Sequence, residues 1–144
     1  MENNNRMILT RRQHLLALSS TVFAGCANDG EKPPDATIEQ IKIFNHIREP
    51  VEVSLTVEKS DSLVYDQTHQ IRGREGNVAD NILVNESWTG TAREFVVTVS
   101  SSVGNEEYNS DEYLSEFSEQ EKCISLLINI RDQNIEIFHR VDDC

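Results

Sequence analysis

The sequence predicts an all-β fold, a single antiparallel β-sandwich of about seven strands over residues 36–144, and three observations predict it. The run VEVSLTV at residues 51–57 alternates apolar and polar side chains at period two without a slip, the pattern of a half-buried strand. Six further short runs of the same character are separated by clusters of Gly, Asn, Asp and Ser, at spacings near ten residues. No long helical pattern competes, because residues 111–117 suffice for only one or two turns.

The strands follow in order. Residues 38–44 put Ile41 and Ile43 in phase, 51–57 form the clearest strand, and 63–71 follow across a Ser-Asp-Ser turn. Residues 78–84 come next, then 92–102 with Phe95, Val97 and Val99 in phase, then 123–130 and 135–141. Seven such strands in about 110 residues fit a sandwich of immunoglobulin or fibronectin type III kind, with a barrel as the alternative closure. Trp88 and the cysteine spacing do not match an antibody domain, so the likeness is one of architecture.

Ahead of this domain stands TRRQHLLALSSTVFAGC, residues 10–26. A polar start, the pair Arg11 and Arg12, and an apolar run with small residues that ends at Cys26 follow the order of a secretory signal. Helical residues 15–25 would rise roughly 16 Å, about half of a hydrocarbon core, so the run is read as an address rather than a span. The twin arginines resemble a twin-arginine (Tat) export signal. His14 stands where that pattern commonly has an aromatic, which leaves the Sec route open. Residues 23–26, FAGC, resemble a lipobox, which implies cleavage before Cys26 and lipidation of its sulfur. Stable attachment takes two chains, as a lipoprotein diacyl-type or archaeal diether modification would provide. The expected organisation is a signal peptide over 1–25, a lipidated tether over 26–35 containing NDGEKPP, and the sandwich.

The full chain carries 13 basic and 25 acidic residues. Residues 1–25 hold three arginines and Glu2, so the remaining 119 residues carry 10 basic against 24 acidic side chains, net −14. Such a surface repels phosphates, so nucleic acid is not an expected partner. Acid excess, four lysines against nine arginines, and the two motifs together resemble small exported lipoproteins of haloarchaea, whose surfaces face concentrated salt. An acidic bacterial lipoprotein is the alternative source.

If Cys26 carries lipid, Cys123 and Cys144 remain as a pair. A hairpin centred on Gln133-Asn134 sets Ile130 opposite Ile137, Leu126 opposite Val141 and Cys123 opposite Cys144, within disulfide reach. His139 then shares the inward face with Ile137 and Val141 and is expected to be partly buried and hydrogen-bonded. His46 and His69 have no spacing that implies a common metal, and no C-x-x-C or H-x-x-x-H is present. Blue copper fails because Met1 and Met7 leave with the signal and no histidine closely follows Cys123. The acidic run 105–121 lacks EF-hand spacing and reads as a solvated loop, in which Tyr108, Tyr113 and Phe117 either fold back on the sandwich or form a contact surface.

No nucleophile elbow or phosphate-binding glycine loop occurs, so no catalytic residue, metal or cofactor is assigned. Asn85 opens the sequon Asn-Glu-Ser, a candidate N-glycosylation site. The expected function is that of a lipid-anchored module on the outer face of the cell membrane, binding an unknown surface protein or envelope ligand. The alternative is an enzyme or enzyme accessory with a carboxylate-lined cleft, for which Asp66 and Asp80 are the named acids.

Overall fold

A computed structural model of the protein describes residues 35–86, 94–117 and 120–144. The signal, the lipobox cysteine Cys26 and Trp88 lie outside the described residues. Eight strands and one short helix follow in order: β1 (Ala36–Asn45), β2 (Val51–Lys59), β3 (Ser62–Ile71), β4 (Asp80–Val84), β5 (Phe95–Ser101), β6 (Gly104–Asn109), α1 (Ser110–Leu114), β7 (Lys122–Ile130) and β8 (Ile135–Asp143). They form two four-stranded sheets, ordered β4-β1-β7-β8 and β3-β2-β5-β6.

The sandwich predicted from alternation is therefore present, with one strand more than the seven expected. Its strand order differs from the ABED and CFG sheets of an immunoglobulin constant domain. β1 and β7 run parallel, while the remaining strand pairs are antiparallel. Parallel neighbours need a long crossover, and here everything from β2 to α1 lies between them.

Period-two alternation fills the space between the sheets. Val51, Val53, Leu55 and Val57 from β2 and Phe95, Val97 and Val99 from β5 meet Ile124, Leu126, Ile128 and Ile130 from β7. β1 keeps both Ile38 and Ile41 inside, although they are an odd three positions apart, because its pairing with β7 shifts between Ile38 and Gln40. The extra residue of such a bulge returns the strand to the same face. Ser60 and Asp61 join β2 to β3 with φ of 47° and 65°. Two positive φ values in a two-residue connection are what a type I′ hairpin demands.

Two expectations need correction. In the last hairpin Ile130 lies opposite Ile135, Leu126 opposite His139 and Cys123 opposite Asp142, a register two residues tighter than the one predicted. The turn closes early because the Arg131 N–H donates to the Asn134 carbonyl at 2.9 Å. A slip of two preserves every inward side chain, so the apolar pattern cannot distinguish the two registers. The acidic run is likewise not one solvated loop. Its first part is the edge strand β6, and Asn109 then caps α1 by accepting from the Asp111 N–H at 2.9 Å.

Candidate functional site

The strand directions give the sandwich two distinct ends. The chain enters β1 beside β7, where the Lys122 N–H donates to the Asp35 carbonyl, and the disulfide Cys123–Cys144 lies at this same proximal end with Cα atoms 5.1 Å apart. Lys122, whose side chain is mostly buried, pairs with Asp143 beside it. At the other end stand the connections of residues 46–50, 72–79 and 131–134. Ten extended residues separate the ends by roughly 30 Å.

The distal loops are tied together by Asn45, a polar residue with no exposed surface. Its Oδ1 accepts from the Ile47 N–H at 2.9 Å, and its Nδ2 donates to the carbonyls of Glu49 at 2.9 Å and Arg72 at 3.0 Å. One buried side chain thus satisfies backbone groups of two separate loops, an arrangement that rigidifies because losing any partner strands a buried polar atom. Gly73 locks the same contact, since a Cβ there would stand 1.8 Å from the Arg48 carbonyl oxygen. The Arg74 N–H adds a 2.7 Å bond to the Ile47 carbonyl. His46 reaches across to the third loop's base, with Nε2 3.0 Å from Asn129 Oδ1 and its backbone N–H on the Ile130 carbonyl.

Between these loops opens a cleft of about 410 Å³, lined by His46, Arg74, Arg131, Asp132, Gln133 and Asn134. Glu136 accepts from the Arg131 Nε at 2.7 Å, and that partner holds the Glu136 carboxyl below the usual carboxylate range. A second ion pair, Arg72 with Asp80 at 3.3 Å, sits beside a smaller hollow and lowers the Asp80 pKa in the same way. A carboxyl poised as a general acid would be displaced upward, whereas Asp80 and Glu136 move down. Asp66 lies on β3 opposite Thr56, away from Asp80.

A second surface feature lies on the outer face of the sheet holding β1. Its register aligns Leu83, Lys42, Leu127 and Phe138 in one row across four strands. The three apolar members are exposed, Phe138 by 50%, and Lys42 Nζ stands 4.9 Å from the centroid of the Phe44 ring. The corresponding face of the other sheet carries Ser54, Thr56, Thr68, Thr98 and Ser100, with Ser54 and Thr68 hydroxyls 3.1 Å apart.

Among the aromatics expected in the acidic run, Tyr108 folds into the core at 2% exposure. Tyr113 stacks on it, ring centroids 4.9 Å apart, and stays 40% exposed. His139 is exposed rather than partly buried, and its ring packs tilted on Tyr113 at 4.3 Å and on Tyr108 at 5.5 Å. It stands on an edge strand, so the inward phase of β8 leads it to the sandwich rim rather than the centre. Phe117 is 43% exposed, with Lys122 Nζ 5.4 Å above its ring. Of the three, Tyr108 is thus core, while Tyr113 and Phe117 remain at the surface. His69 donates to or accepts from the Tyr65 hydroxyl at 2.9 Å, far from His46 in the chain. Asn85 is exposed just past β4.

The sequence reading missed Asn45, Gly73 and Arg74. The stretches NHIREP and RGREGN carried the signal, an Asx-turn asparagine after an apolar strand and a glycine between two arginines. Among the described residues no helix is long and apolar enough to cross a membrane.

No family model matches the sequence, and no curated protein matches it. Among solved structures the fold is similar to the type VI secretion system lipoprotein TssJ1 from Pseudomonas aeruginosa, at 13% identity and a TM-score of 0.44, over 75% of this chain and 97% of that one. It is also similar to the tip fimbrial protein Mfa3 from Porphyromonas gingivalis, at 12% identity and a TM-score of 0.27, over 74% of this chain and 52% of that one.

Proposed function

We propose that the protein is an exported lipoprotein, attached to the outer face of the cell membrane through Cys26, whose sandwich acts as a binding module of the cell envelope. The observation that carries this reading is the opposition of the two ends. The tether would join at the proximal end, beside Asp35 and the Cys123–Cys144 disulfide, while the loops knotted by Asn45 stand roughly 30 Å away. Rigid loops at the far end of a tethered scaffold are where a binding surface is best presented. Asn85, exposed past β4, is the residue we propose for N-glycosylation.

The anchor is tested by Cys26→Ser. Expected is release of the protein, or retention of an unprocessed chain, in membrane fractionation coupled to mass analysis of the N-terminus. Membrane attachment of a correctly cut Cys26→Ser chain would refute the lipid anchor.

A further inference from the structure

Cations are scarce in this chain, and they are not evenly spread. Four of the five arginines among the described residues, Arg48, Arg72, Arg74 and Arg131, stand on the distal loops, and the fifth, Arg140, pairs with Asp142 on β8. Arg72 and Arg131 are each engaged by a carboxylate. Arg74 is different, because its Nε is buried without a hydrogen-bond partner and it forms no ion pair among the described residues. A buried donor on a permanently charged group is costly to leave unmatched. The Arg74 side chain lines the cleft together with Arg131, Gln133 and Asn134, its Nε shielded from solvent and the rest of the guanidinium left to meet a ligand.

We propose that this distal cleft is an oxyanion-binding site, built for a carboxylate or sulfate group of an envelope component, with Arg74 as its principal donor. A guanidinium donates only, and its planar fork matches two oxygens of one anion. The amides of Gln133 and Asn134 add donors that need no proton change. Asp132, the one acid on the cleft wall, repels anions that approach from its side and so favours a ligand seated toward Arg74 and His46. Glu136 holds the Arg131 guanidinium in place through its Nε. The backbone beneath is fixed by Gly73 against the Arg48 carbonyl and by the Arg74 to Ile47 bond, so little ordering would accompany binding. The site gives chemistry to the presented end in the reading above and rests on it for biological meaning, yet its readout is independent of any anchor.

The test is an NMR titration of the isotope-labelled full chain in detergent micelles, following the Arg74 Nε–H resonance. Sodium sulfate and sodium acetate form separate arms, each at ionic strength fixed with sodium chloride. Expected is a saturable shift of Arg74 Nε–H in at least one arm, no matching shift at Arg140 Nε–H, and binding about tenfold weaker in Arg131→Gln. The arm that binds more tightly identifies the group. No saturable shift in either arm, or equal shifts at Arg74 and Arg140, would overturn the site and leave the Cys26 anchor untouched. Because the resonance is read in the unmodified protein, the result stands even if a variant fails to fold.

Discussion

Tyr108 carries a hydroxyl that is buried and has no hydrogen-bond partner among the described residues, and burial, with Tyr113 beside it, raises its pKa well above the ordinary phenol value. A buried unmatched hydroxyl destabilises, whereas the ring itself fills the core. Tyr108→Phe is therefore expected to leave the thermal midpoint unchanged or raise it by a few degrees, as a calorimetric scan would reveal. A fall of several degrees would mean that the hydroxyl has a partner after all. Asp80 makes the opposite case, since Arg72 first through its hydrogen bond and then through its charge lowers a carboxyl whose unperturbed value is 3.8. A lowered folded pKa contributes stability above the unfolded value, and that stability is lost as pH falls through the folded one. The midpoint difference between wild type and Asp80→Asn is thus expected near neutrality and should fade below about pH 4. A difference that persists in stronger acid would break the link to the carboxylate.

At the scale of elements, the β2–β3 connection holds Ser60 and Asp61 in a left-handed conformation that costs L-residues roughly 1 kcal/mol each. Replacing the pair by Asn-Gly should raise stability by about 1 kcal/mol, or roughly 4–8 °C in a small domain, measured by thermal unfolding. An unchanged midpoint would show that the local geometry is not limiting. The turn's position was legible from Ser-Asp-Ser between two alternating runs, and so were the seven apolar strands. β6 was not legible, because in GNEEYN Tyr108 is the one buried residue, while Glu106 on the same side is exposed at the edge and breaks the apolar alternation. Charged side chains on such an edge oppose pairing with another chain, so the acids that hid the strand also protect it. The Cys123–Cys144 bridge illustrates a different limit. The apolar pattern fixes which face a residue takes but not a slip of two, and the cysteines meet diagonally rather than directly opposite. Asn45 escaped notice for a related reason: alternation assigns its position to the core, while its side chain satisfies loops that sequence cannot bring together.

For the whole molecule, net charge is the dominant long-range quantity. A formal charge of −12 for the full chain makes the folded state repel itself, and salt shortens the reach of that repulsion from about 10 Å at 0.1 M to about 3 Å at 1 M. The unfolding midpoint is expected to rise as sodium chloride increases across that range, followed by circular dichroism. A midpoint that stays flat or falls would remove self-repulsion as a determinant of stability. The distal arginines also acquire their meaning at this scale, because a few cations on one end of an acidic body create a dipole that orients an approaching anion.

The parallel neighbours β1 and β7 have a mechanical corollary. Tension drawn through the residues ahead of Ala36 enters the sandwich along the axis of β1, which is flanked on both sides, by β4 and by β7. Extraction would have to shear two ladders at once instead of peeling one bond at a time, and the covalent link at Cys123 keeps the neighbouring hairpin from opening at the loaded end. A pull entering at Ala36 is thereby shared across the sheet before it reaches the far loops.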